Sequence, residues 1–123
     1  MPINESEILV DATDPLGRRA VLMSSTVYHK RKAHLDVSGQ ITYAEVAQCI
    51  SDPDLIVTTA QIEDFPERRI YYRRGDLSGG APPLRRVVVD HGPTPGIAVS
   101  WHRTSKVGTY TSIEYGPRVG GGQ

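Results

Sequence analysis

The sequence predicts an α+β fold, with two amino-terminal helices packed on a four- to five-stranded antiparallel sheet. Three observations carry that expectation. Arg68–Gly75 alternates Ile70 and Tyr72 with Tyr71 and Arg73, the period of a strand. Leu84–Asp90, with the β-branched run Val87-Val88-Val89, is its partner across Asp76–Pro83, whose glycines and prolines cannot continue a ladder. Thr42–Ile50 follows a helical period instead, and it precedes both strands in the chain.

Taken in order, the short apolar runs Ile8–Val10 and Ala20–Met23 flank Asp14-Pro15-Leu16-Gly17. There Pro presets a turn and Gly closes it, so a small hairpin is expected with Arg18 and Arg19 opening its return strand. Ser24-Ser25-Thr26 offers N-cap oxygens ahead of a helix over Val27–Leu35. Its apolar face, Val27 to Leu35 through Arg31, is thin, so the helix is expected to ride on the sheet; Lys30 and His34 are neighbours on another side. Asp36–Gly39 ends it. Thr42 and Glu45 then fit a capping box, and Tyr43, Val46, Ala47 and Ile50 share one face of the second helix. Asp52-Pro53 stops that helix, because proline disfavours a helical residue before itself. Cys49, in its last turn, reads as a small core residue rather than a nucleophile. Leu55–Thr59 is β-branched and short, hence a strand; Gly96–Trp101 and Thr109–Tyr115 are the later ones. Residues 1–116 form a single domain, and 117–123, with Gly120-Gly121-Gly122, are expected to be a disordered tail.

At 123 residues the chain can build one core. No apolar run is long enough to cross a bilayer, so no membrane partner is expected. The polar, acidic start Met1-Pro-Ile-Asn-Glu-Ser-Glu7 lacks a leader pattern, and the lone Cys49 cannot form an internal disulfide, which together predict a cytoplasmic location. Net charge is zero but unevenly placed. Through Glu67 there are five Lys/Arg against eleven Asp/Glu; from Arg68 to Lys106 there are eight against two. The two long strands alone carry six arginines. Such a surface meets phosphate or carboxylate, unless the two halves simply neutralise each other.

The chemistry on offer is narrow. His29 and His34 are five apart, which turns them about 140° from each other on a helix, and no Cys or carboxylate stands at metal-ligand spacing. No metal or other cofactor is therefore expected. Glycine-rich phosphate loops between a strand and a helix are also missing. Histidine with arginine is better placed. Cleaving RNA without metal needs a base for the ribose 2′-hydroxyl, cations for the phosphorane and an acid for the leaving oxygen. His34 from the first helix, Arg73 or Arg74 from a central strand, and Ser100, His102 or Thr104 from the next can supply those parts. Tyr71, Tyr72 and Trp101 can stack on exposed bases.

Several runs, in this order, resemble a known group. They are Asp14-Pro-Leu-Gly-Arg-Arg-Ala-Val-Leu22, His29-Lys-Arg-Lys-Ala-His34-Leu35, Ile50-Ser-Asp-Pro-Asp-Leu-Ile56, Arg69-Ile-Tyr-Tyr-Arg-Arg74 and Val87–Val89. The group is the phage-type barnase-EndoU-colicin-RelE-like (BECR) nucleases, and the resemblance spans about Val10 to Trp101. It implies a RelE-like fold and a metal-independent, toxin-like ribonuclease of phage or mobile-element origin, leaving a 2′,3′-cyclic phosphate. It implies catalytic roles for His29, His34 and Arg73, with His102 at the polar end of the later strand. RNA contacts would come from Arg31, Arg69, Tyr72, Arg74, Arg86, Ser100 and Trp101. RNA is the implied partner, and a toxin's acidic antitoxin or immunity protein would dock on the same basic sheet. The chain departs from the pattern at Val27, where a Trp is usual, at Leu35-Asp36, where Pro-Glu is common, and at Val99-Ser100, where Thr-Ala is common. Those departures motivate the alternative, a catalytically inactive RNA- or protein-binding module. A plainer alternative is an accessory protein that associates through its sheet edges.

Overall fold

The structure, a computed structural model, describes residues 7–33, 41–75 and 83–116, and of 29–33 the backbone alone. The strands are β1 (Ile8–Thr13), β2 (Arg19–Met23), β3 (Leu55–Thr59), β4 (Arg68–Arg74), β5 (Leu84–Asp90), β6 (Gly96–Thr104) and β7 (Tyr110–Tyr115); the helices are α1 (Ser24–Ala33) and α2 (Tyr43–Ser51). All seven strands belong to one sheet in the order β1-β2-β6-β5-β4-β3-β7. The pairs are antiparallel except β2 with β6, which is parallel.

This overturns the expectation of two helices on a four- to five-stranded antiparallel sheet. The strand segments were each legible, but not how they join. The amino-terminal hairpin is no satellite. Ala20, Val21 and Leu22 are all buried, so β2 is apolar on both faces and occupies an interior position between β1 and β6. With that side of β6 occupied, β7 passes over to pair with β3 at the far edge. The helices are short and unequal in role. α1 continues from β2 without a loop and rests against that strand, while α2 crosses β1, β4 and β5. Ser24, Ser25 and Thr26 lie inside α1 rather than capping it. The expected tail at 117–123 lies outside the described residues.

α2 forms as its sequence dictates. The Thr42 hydroxyl accepts from the Glu45 amide at 3.1 Å, and the Glu45 carboxylate accepts from the Thr42 amide at 2.8 Å. Its inward side is Val46, Cys49 and Ile50, while Tyr43 is exposed. They pack on Tyr71, Val87, Val89, Ile56, Leu22 and Trp101, the core of the helix-bearing face. Burying each large aliphatic contributes roughly 1.5–3 kcal/mol. The opposite face has its own smaller cluster of Leu55, Val57, Ile70, Tyr72 and Val88, with Leu84, Val99 and Val107 against it and neither described helix above. Residues 70–72 are therefore buried whichever way they point, and the alternation foreseen for β4 separates two cores rather than core from solvent.

The turn at Asp14 is built as expected. Gly17 N donates to Asp14 O at 2.9 Å with Gly17 at φ +90°, and Asp14 Oδ1 accepts from the Leu16 and Arg18 amides at 2.9 Å each.

Candidate functional site

Strand parity decides which of the candidate residues share a surface. In the ladder β4-β5-β6, Tyr72 stands opposite Arg86 and Arg86 opposite His102; the next row is Arg73, Arg85 and Arg103. Successive rows point to opposite faces. Tyr72 belongs to the core of the helix-free face and Tyr71 to that of the helix-bearing face. Arg86 and His102 therefore project on the helix-free side, and Arg73 on the other. The pairing of Arg73 with His102 expected from the sequence is not assembled. His34 lies outside the described residues, as do the side chains of His29 and Arg31.

On the helix-free face Arg68 and Arg74 flank the Tyr72–Arg86–His102 row along β4. A register shift between Val88 and Val89 leaves Val99 unpaired, a bulge that brings Ser100 opposite Val88 and turns both Val99 and Ser100 to this side. Arg86 is partly exposed, and its Nε donates to the Tyr72 hydroxyl at 3.4 Å. The same hydroxyl accepts from Gly108 N at 3.1 Å, so the β6–β7 connection lies over it. Tyr72, 2% exposed, positions Arg86 and has no surface for a base. Trp101, 4% exposed, sits in the opposite core and is likewise removed from the stacking candidates. What remains open on this side is a cationic strip of Arg68, Arg74 and Arg86 beside His102 and Ser100.

The helix-bearing side uses its arginines differently. Three guanidinium residues in one row would repel, and acids of the amino-terminal half meet two of them. Arg85 Nε donates to Glu45 at 2.7 Å with only 8% of its side chain exposed, and Arg73 Nη1 donates to the Asp52 carbonyl at 2.7 Å and carboxylate at 2.8 Å. Burial pushes the Glu45 carboxyl up, but the Thr42 amide and the Arg85 charge outweigh it and hold it below its ordinary value. The Arg85 guanidinium lies so close to Gly75 that a Cβ there would come within 2.4 Å of it. These two arginines are structural cations. The charge imbalance between the halves of the sequence is thus partly cancelled on one face and left standing on the other.

At the far end of the helix-bearing face is a polar network that sequence reasoning missed. The Tyr71 hydroxyl donates to Asp14 Oδ2 at 2.6 Å and lies 2.8 Å from His91 Nε2. Because the phenol proton goes to the carboxylate, His91 must donate from Nε2, which leaves its lone pair on Nδ1. Arg18 Nε reaches the same Asp14 oxygen at 2.9 Å, and Glu114 bridges Arg18 at 2.9 Å and Arg69 at 2.7 Å. Arg69, expected to bind RNA, is consumed here. It also donates to the Pro66 and Arg68 carbonyls. Burial raises the Asp14 carboxyl, yet hydrogen bonds from Tyr71 and Arg18 outweigh it and the group stays below the usual carboxylate range. Burial, then the Arg18 charge, holds the His91 imidazole below its ordinary value. Burial and the Asp14 partner drive the Tyr71 phenol far up. Arg18 and Glu114 come from the two ends of the strand order, so the network ties the β1–β2 turn to β7 across the curled sheet. Asp14 in its turn motif was a visible signal; its distant partners were not.

Cys49 is fully buried, and burial pushes its thiol far up, which makes it a core residue and not a nucleophile. No described helix is long and apolar enough to cross a membrane. Comparison of the chain with known protein families, curated proteins and solved structures found no match.

Proposed function

We propose that the helix-free face binds RNA and that the chain is a metal-independent ribonuclease cleaving by 2′-hydroxyl transesterification. The observation that carries this reading is the row in which His102 stands directly across from Arg86, on an open face that also bears Arg68, Arg74 and Ser100. Arg86 replaces Arg73 as the cation that holds the scissile phosphate. Its guanidinium offers a planar fork, and Tyr72 restrains it from below. His102 exchanges protons with the ribose hydroxyl or the leaving oxygen. Arg68 and Arg74 follow the backbone on either side of the cleavage point.

Incubation with RNA in EDTA, followed by end-group analysis, tests the reading. Products ending in 2′,3′-cyclic phosphate are expected, with His102→Ala and Arg86→Ala each lowering the rate about 10²-fold or more. Arg73→Ala, on the other face, should leave the rate within about twofold, since distant independent sites do not share an effect. Equal loss from Arg73→Ala and Arg86→Ala would overturn the assignment of faces.

A second reading, RNA binding without turnover, is favoured by one observation: His102 is the only histidine placed on this face among the described residues. Salt-dependent affinity with intact RNA would select it, and no binding at low salt would remove both readings.

A further inference from the structure

Two hollows sink into the helix-free face, one on each side of the Tyr72–Arg86–His102 row. The first, of about 340 Å³, lies between the β3–β4 turn and the Ile70–Val88–Ser100 row. The second, of about 580 Å³, lies at the Arg74–Leu84 pair, between the start of β3 and the β6–β7 connection. Both fall within the size that small-molecule sites occupy, roughly 300–1,000 Å³. Along β4 the two floors are four residues apart, which is about 13 Å at a rise of roughly 3.3 Å per residue.

Their linings suit flat rings. Phe65 lines the first hollow and is 41% exposed; the Arg68 guanidinium carbon, 4.1 Å from its centroid, holds the ring in place. Val88 and Val99 add aliphatic surface beside it. The Gln61 amide and the Ser100 hydroxyl each donate and accept, so they meet the edge of any base. In the second hollow Leu55, Leu84 and Val107 supply the aliphatic surface. Its acid is turned to the backbone, because Asp54 Oδ2 accepts from the Arg74 amide at 2.8 Å. Cations alternate with the hollows: Arg68 borders the first, Arg74 borders the second, and Arg86 stands between them. A single nucleic-acid strand carries the matching alternation, with phosphates between flat rings.

We infer that a single strand of RNA runs along β4, with a phosphate on Arg86 and the bases on its two sides in the two hollows, whatever their identity. The inference rests on the proposed RNA-binding face and deepens it to a class of RNA. Stacked neighbours lie about 3.4 Å apart along a strand, so bases held about 13 Å apart are unstacked. A duplex, whose bases are paired and stacked, presents no ring to either hollow.

Dye-labelled 2′-O-methyl strands, which lack the attacking hydroxyl and stay intact, test it by anisotropy. U8 and A8 are compared with an eight-residue abasic strand that keeps every phosphate. Both should bind about thirtyfold or more tightly than the abasic strand, about tenfold from the ring on Phe65 and the rest from the ring buried on aliphatic side chains. The salt slopes should be equal, since the phosphates are the same. Phe65→Ala should weaken U8 and A8 about tenfold and leave the abasic strand and an A8·U8 duplex within about twofold. Leu84→Ala, its folding checked by melting temperature, should weaken U8 about threefold and again spare the abasic strand. An abasic strand that binds as tightly as U8 and A8, or a Phe65→Ala loss shared by every strand, overturns the two base sites and spares the RNA-binding face. An unchanged U8 affinity in folded Leu84→Ala overturns the path along β4. Failure of every strand to bind at low salt overturns both the path and the RNA-binding face.

Discussion

Tyr71→Phe removes one oxygen atom from the centre of the molecule and nothing else. The ring is fully buried between α2 and the sheet, so its packing is retained. The hydroxyl, however, links Asp14 at 2.6 Å with His91 at 2.8 Å. The bond to the ionised Asp14 belongs to the stronger class, worth about 1.5–3 kcal/mol, and the His91 bond adds roughly 0.5–1.5 kcal/mol. Arg18 still holds Asp14 Oδ2, which limits the loss there, while His91 Nε2 is left without an acceptor. A destabilisation of about 2–4 kcal/mol follows, a large share of the margin of a domain this size. Urea unfolding followed by tryptophan fluorescence measures it, with the change appearing in the midpoint and the slope m unchanged. His91→Gln should be much less costly in the Tyr71→Phe background than in the parent, because the two groups share one bond. A loss below about 0.5 kcal/mol for Tyr71→Phe would refute the claim that this network anchors the β1–β2 turn.

Further predictions follow from the same contacts. Gly96→Ala would place a Cβ 2.5 Å from His91 Nδ1 and 3.0 Å from Val89 Cγ1, so a cost of about 1–3 kcal/mol is expected, reduced in a His91→Ala background; equal costs in both backgrounds would rule out the clash. Glu45→Ala removes the capping-box carboxylate and the counter-ion of a nearly buried Arg85 together, and should cost about 2–4 kcal/mol by chemical denaturation; a neutral result would sink the structural role given to Arg85. His91 and Asp14 both titrate below their ordinary values when folded, so the unfolded chain binds more protons and stability must fall as pH falls. The decline should start below about pH 6.5, where the unfolded imidazole begins to charge, and steepen below about pH 4 as Asp14, Glu45 and Glu114 are protonated. Melting curves from pH 8 to pH 3 check this, and His91→Gln should flatten only the upper part; a melting temperature flat from pH 7 to pH 5 in the parent would remove His91 from the account.

Much of the local structure was written in the chain. Thr42 and Glu45 specify a helix start by reciprocal bonds three residues apart, and Asp14-Pro-Leu-Gly17 specifies a turn within its own atoms. Each of the seven strands announced itself through a short apolar run, β-branched residues or alternation, and Cys49 read as a core residue from its place in the last turn of a helix. Periodicity can do this because it is a property of neighbours in sequence.

What periodicity does not contain is which strand lies beside which, and on that everything functional depends. Only the tertiary pairing put β2 inside the sheet, sent β7 to the far edge and brought Glu114 to Arg18. It also separated Arg73 from His102. A strand sends adjacent residues to opposite sides, so a one-residue difference in register exchanges a shared surface for two unrelated ones. Arginine content marked the middle of the chain as cationic; hydrogen-bond register across β4, β5 and β6 decided that Arg85 and Arg73 would neutralise the acids of the amino-terminal half while Arg86 stayed open beside His102.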